Sequence, residues 1–246
     1  MEDPTGASIL PFPVHRRTTI DETFDGFSGR AGGETMPGSR TLRRVTVLYA
    51  DIRGWNQVAD HVGEESAAAL LAGAVDRAVK AIRENEPSDV TVGGGAAQPV
   101  LSATFEGEGH AERALRAAVF VRDAVASREE TGQEATAGVG PAFHSCSGLN
   151  TGDIVEAQIE GGVPVSFQAV GTVRMFATRL QEFAGPDQIF LSAATYAEAM
   201  VTAKVRSIGP VRTNADGDTA EAFCLIELLP HETPMSPDVA GRSRSI

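Results

Sequence analysis

Residues 45–50 read VTVLYA, six positions without a charge, and the run stops at Asp51. An uninterrupted apolar stretch rich in β-branched residues predicts a strand covered on both faces. The next segment changes period. In EESAAALLAGAVDRAVKAIREN, Leu70, Leu71, Val75, Val79 and Ile82 recur at helical spacing. DVTV and PVLSATF predict two strands joined by GGGAAQ, and HAERALRAAVFVRDAVASREE predicts a second amphipathic helix. PAFHSCSGLN and DIVEAQIE read as a strand pair around NTG, with Gly152 as the left-handed turn residue. VGTVRMFATRLQEFA predicts a third helix, stopped by Gly185 and Pro186. QIFLS (strand), AATYAEAM (short helix), and KVRSIGPVRT with AEAFCLIEL (strand pair) complete the order β-α-β-β-α-β-β-α-β-α-β-β. That order is an α/β sandwich with a mixed sheet.

Outside this block the period is lost. Residues 1–40 are rich in Gly, Pro, Ser, Thr and charge, and predict a mobile N-terminal arm. Residues 41–230 form the domain, and 231–246 read as a disordered tail. The net charge of −12 argues against a nucleic-acid or anionic membrane surface. No stretch approaches the ~20 apolar residues of a membrane span, and the N-terminus lacks a secretory pattern, so the expectation is a soluble, cytoplasmic protein. Cys146 and Cys224 stand apart without metal-site spacing and read as buried thiols.

At the end of the first strand, Asp51 is open to two readings: a cap on the following turn, or a carboxylate at the mouth of a ligand crevice. Four segments bear on the choice. VTVLYADIRGW, GHAERALRAAVFVRDAV, GLNTGDIVEAQI and AVGTVRMFATRLQEFAGPDQIFLSAATY occur in the order of the first strand and turn, second helix, central hairpin, and third helix with following strand of the class III nucleotide cyclase domain. The chain resembles that family over about residues 42–228. The resemblance implies a ferredoxin-like fold, a mostly antiparallel mixed sheet with flanking helices, and the conversion of nucleoside triphosphates to cyclic nucleotides. It also implies Mg²⁺ or Mn²⁺ as cofactor, held by Asp51 as metal ligand. Backbone N–H groups of Ile52, Arg53, Gly54 and Trp55 would face a triphosphate.

The rest of the family's site is altered. The resemblance implies a second metal-binding aspartate between the second and third strands. Anchored on LSATF, that position falls at Gln98 or Pro99, neither of which carries negative charge. Asp89, Glu106 and Glu108 lie at the far ends of the two strands, roughly 20 Å away at ~3.3 Å per residue. The base-recognition positions hold glycines and alanines (GGGAA) and Gln168, whose amide could contact several bases or none. On the third helix, Met175 stands where the family has a ribose-positioning asparagine. Arg179 keeps the position of a phosphate-stabilising arginine, or is an ordinary surface arginine. His110 and His144 have no partner at ligand spacing and receive no role.

Family members work as head-to-tail dimers with sites built from both chains, and here neither half-site is complete. The sequence reading is therefore a degenerate cyclase-homology protein, a non-catalytic binder of a nucleoside triphosphate, a cyclic nucleotide or a partner, acting as a regulator in cyclic-nucleotide-type signalling. It would pair as a homodimer or with another cyclase domain. The alternative is a divergent active cyclase that releases pyrophosphate.

Overall fold

In the computed structural model, residues 40–127, 141–158, 164–165, 170–199, 203–213 and 217–228 are described. The arm, the tail and Gln168 lie outside them. The elements are β1 (Arg40–Arg53), α1 (Trp55–Val62), α2 (Glu64–Arg83), β2 (Asp89–Gly95), β3 (Gln98–Glu106), α3 (His110–Ala126), β4 (His144–Gln158), β5 (Pro164–Val165), α4 (Val170–Phe183), β6 (Ile189–Ser192), α5 (Ala193–Glu198), β7 (Ala203–Arg212) and β8 (Thr219–Leu228). The sheet runs β2-β3-β1-β4-β6-β8-β7, with β5 paired to β4. Its pairs are antiparallel except β4–β6, which is parallel. This is the mixed, mostly antiparallel sheet expected.

β1 lies at the centre, and alternation along it sorts the two faces. Leu48, Ala50 and Ile52 join the large core beneath α1, α2, α3 and α5. Val45, Val47 and Tyr49 face the other way, against Val173 and Ala177 of α4. Asp51 continues that second series. A second cluster on the α4 side gathers Cys146, Phe176, Leu180, Phe190 and Cys224, so both thiols are free and buried.

Three expectations change. Leu70 is exposed, and the inner face of α2 is carried instead by Ala67, Leu71, Ala74, Ala78, Ala81 and Ile82. Ala67, Ala74 and Ala78 share one core with Ala111, Ala114, Ala117 and Ala118 of α3, so two small-residue faces form the core side of this helix pair. GGGAAQ is not a loop: β2 pairs with β3 as far as Gly95↔Gln98, which leaves only Ala96 and Ala97 as the turn. NTG is not a turn either. β4 passes straight through it, with Thr151 paired to Thr46 and Gly152 to Val45. Gly152 is small because α4 crosses there, where a Cβ would come within 2.6 Å of Val173 Cγ2. The partner of this strand's end is β5, which places the connection at 159–163, outside the described residues.

Candidate functional site

The strand run that buries VTVLYA carries Asp51 to the end of β1, where it is 2% exposed. Because side chains two apart share a face, Arg53 turns to the same side as Asp51. Its Nε donates to Asp51 Oδ2 at 2.8 Å, and its Nη1 donates to the Ala184 carbonyl at 3.3 Å. From β3, Val100 pairs with Asp51, and Gln98 lies two positions further on the same face. Gln98 Nε2 donates to Asp51 Oδ2 at 2.8 Å. Pro99 is buried and alternates to the opposite face, so of the two candidate positions Gln98 is the one beside Asp51.

The third donor comes from α4. Gly148 on β4 lets the helix approach closely, since a Cβ there would overlap the Ala177 carbonyl and the Gln181 amide nitrogen. At that crossing Gln181, itself buried, donates from Nε2 to Asp51 Oδ2 at 3.3 Å. A carboxylate only accepts, so both amides must turn nitrogen toward it. Asp51 Oδ1 is buried with no protein partner. Burial, the largest influence, opposes the charge on Arg53, but the bond to Asp51 and the charge interactions with Cys146 and Asp51 together outweigh it, and the pKa is raised. Burial raises the pKa of the Cys146 thiol on the neighbouring strand, which Arg53 partly offsets.

This cage borders a groove of about 430 Å³ between the β1–α1 turn, the β2–β3 hairpin tip and the end of α4. Arg53, Trp55, Asn56, Gln98, His144 and Pro186 are among its lining residues. His144 Nδ1 meets Asp187 Oδ2 at 2.7 Å, and Asp187 Oδ1 accepts from the Ser145 amide at 3.2 Å. The turn itself is made by Gly54, whose φ of +115° and approach to the Ala142 carbonyl suit only glycine.

The layout matches solved structures. The adenylyl cyclase CyaB from P. aeruginosa is similar over 77% of this chain and 96% of its own, with a TM-score of 0.56 at 16% identity. The guanylate cyclase domain of RhGC from Catenaria anguillulae, crystallised in complex with GTP, gives 77%, 100%, 0.56 and 14% on the same measures. The guanylyl cyclase Cya2 gives 80%, 98%, 0.54 and 21%. The fold is that of the class III nucleotide cyclase domain. No protein-family model and no curated protein matches the sequence.

Within the cyclase fold, the residues singled out from sequence fall in two places. Asp51, Arg53, Gly54 and Trp55 are at the cage and groove. Ile52 is fully buried on the opposite face of β1, and Ile52 and Arg53 pair with Ser145 and His144. They are strand residues, so only Gly54 and Trp55 belong to the turn expected to cradle a triphosphate. Met175 is half-buried on α4. Arg179 is exposed and bound to Glu182 at 3.0 Å, with Thr172 and Phe183 also outward on this helix. It does not join Asp51 within the chain.

Sequence reasoning missed the side-chain roles of Arg53, Gln181 and Asp187. Period-two alternation carried a signal for Arg53. Gln181 and Asp187 meet their partners across 130 and 43 residues, and no local pattern marks them.

A two-metal centre needs several oxygen ligands, mostly carboxylates. Asp89 and Glu106 are at the far end of the β2–β3 pair, and Glu106 is engaged by Arg43 at 2.9 Å. Among the described residues no three His, Cys, Asp or Glu gather at one place. Asp51 offers one free oxygen beside a guanidinium. The described residues do not fit a pair of divalent cations. Among the described residues no helix is long and apolar enough to cross a membrane.

Proposed function

We propose that this protein is a non-catalytic member of the cyclase-fold group that binds a nucleoside triphosphate, a cyclic nucleotide or a protein partner and serves as a regulator in cyclic-nucleotide-type signalling. The observation that carries this reading is the Gln98–Asp51 hydrogen bond. Where a second carboxylate would share a metal with Asp51, a neutral amide donates to it instead. Loss of a group that stabilises transition-state charge costs on the order of 10²–10³ in rate. Gln98 removes one such group, and Met175 removes a donor for the ribose.

Nucleotide binding is supported by the groove beside Trp55, Asn56 and Gln98, and by the GTP held in the Catenaria domain of the same fold. Pairing with a second copy or another cyclase domain is supported by the outward face of α4, where Arg179 and the exposed Phe183 stand. Dimeric and monomeric forms of a fungal guanylyl cyclase domain of this fold have both been crystallised.

The test is turnover together with binding. Purified protein incubated with ATP, GTP, CTP or UTP and Mg²⁺ or Mn²⁺ is expected to give no cyclic nucleotide. A fluorescent triphosphate analogue is expected to bind saturably and to be displaced by unlabelled nucleotide. Steady metal-dependent turnover that disappears in Asp51→Ala would overturn the reading.

A further inference from the structure

We propose that Arg53 is the resident cation of the Asp51 pocket, a side chain standing where a divalent ion would otherwise be needed, so that this site works without metal. The inference rests on the binding reading above and names its ionic requirement.

Three observations converge. The negative charge of Asp51 is 2% exposed, and a buried carboxylate needs a compensating charge and hydrogen bonds. The guanidinium supplies the charge: Arg53 Nε lies 2.8 Å from Oδ2, and its Nη1 is tied to the Ala184 carbonyl, which fixes the head in place. The two amides that complete the shell, from Gln98 and Gln181, also present donors to Oδ2. A pair of divalent ions needs several anionic oxygens converging on it. The described polar partners of Asp51, drawn from β1, β3 and α4, are one cation and two neutral amides, with no second carboxylate among them. Oδ1 remains as a single acceptor, and a divalent ion there would sit against the fixed positive charge of Arg53.

The chemistry of the ligand follows. A phosphorylated compound entering the groove meets the partly exposed head of Arg53. Metal-free triphosphate is more negative than its Mg²⁺ complex, so chelating the metal should not weaken binding.

The experiment uses the full chain and two readouts. Mn²⁺ binding is followed by electron paramagnetic resonance and by melting temperature, with Asp51→Asn as control. Wild type is expected to show no saturable, Asp51-dependent binding. Gln98→Asp combined with Arg53→Gln removes the resident cation and supplies a second carboxylate. This variant is expected to gain Mn²⁺ affinity on the order of 10-fold or more, the range by which neighbouring groups tune metal sites. Its melting temperature should rise with Mn²⁺ by mass action. If the double variant does not fold, Arg53→Gln alone decides, with the same gain expected at smaller amplitude. In the second readout, affinity for a fluorescent triphosphate analogue should be the same or tighter in EDTA than in Mg²⁺.

Asp51-dependent Mn²⁺ binding by wild type would overturn the inference. So would a folded double variant indifferent to Mn²⁺. Metal bound without turnover sinks this inference and leaves the non-catalytic reading standing, whereas turnover sinks that reading.

Discussion

Asp51 and Gly148 show how much of this site depends on single atoms. Replacing Asp51 by Ala leaves the amides of Gln98 and Gln181 without their shared acceptor and Arg53 without its partner. Gln181 is buried, so the loss of its acceptor is not made good by water. The expected cost is about 1–3 kcal/mol, the usual penalty for an unsatisfied buried polar group, read by urea denaturation. Gly148→Ala acts through shape alone. The new methyl would overlap the backbone of α4 at Ala177 and Gln181, which cannot swing aside as a side chain can. The helix must lift off β4, with a loss of about 1–3 kcal/mol as in other overpacked cores. Because Gln181 rides on that helix, its bond to Asp51 should weaken too. A Gly148→Ala variant with unchanged stability would mean that α4 is not seated on β4 as described.

At the scale of elements, the strands and helices were largely legible because their periods are strong. VTVLYA and the helical rows of α2, α3 and α4 each state their structure over more than one turn or pleat. What the sequence hid was the joints. Gly152 looks like a turn residue in NTG, yet its smallness answers to Val173 on a helix 21 positions later. Gly93 to Gly95 look like a loop, yet pairing with β3 claims them as strand. The two misreadings differ in cause: Gly152 marks a close approach that only tertiary packing shows, whereas Gly94 does have a positive φ, of 84°, but has it inside a paired strand. The same limit applies to the site. The loss of a second acid was visible at Gln98, but the shell that Arg53, Gln98 and Gln181 form around Asp51 required the register of β1 against β3 and the crossing of α4.

A second set of joints lies on the helix-covered face. Thr46 on β1 bonds Thr151 on β4 and His110 on α3, both at 2.7 Å, and Thr151 donates to Thr195 on α5 at 3.0 Å. Four elements thus meet in one chain of hydroxyls, with Thr46, Thr151 and Thr195 all buried. Thr46→Val keeps the shape and β-branching but takes from Thr151 and from His110 Nδ1 the hydroxyl each bonds on β1. It should lower stability by about 1–3 kcal/mol, whereas Thr46→Ser, which keeps the hydroxyl, should lose less. Equal losses would show that packing rather than hydrogen bonding holds this junction.

The whole molecule inherits a pH dependence from that junction. His110 is drawn into the fold at the start of α3, beneath Thr46, with Glu198 3.5 Å from its Nε2. Burial lowers its pKa below the ordinary 6.5. Glu198 works the other way, while Arg44 and Arg113 add to the lowering. In the unfolded chain the same ring titrates near the ordinary value, so just below 6.5 the unfolded state holds more protons than the folded one. Stability therefore falls as pH drops through this window and levels off below the folded value. His110 joins that chain of hydroxyls through Nδ1, so the effect should reach all four elements at once and appear in global unfolding. Urea denaturation at pH 8, 6.5 and 5 measures it, with His110→Gln as reference, a ring-free side chain that can still bond a hydroxyl. Wild type should lose more stability than His110→Gln between pH 6.5 and 5, and the two should run parallel above pH 7. Carboxylates contribute to both curves alike, so their difference isolates the histidine. Curves parallel throughout would mean that the fold does not hold His110 away from its proton.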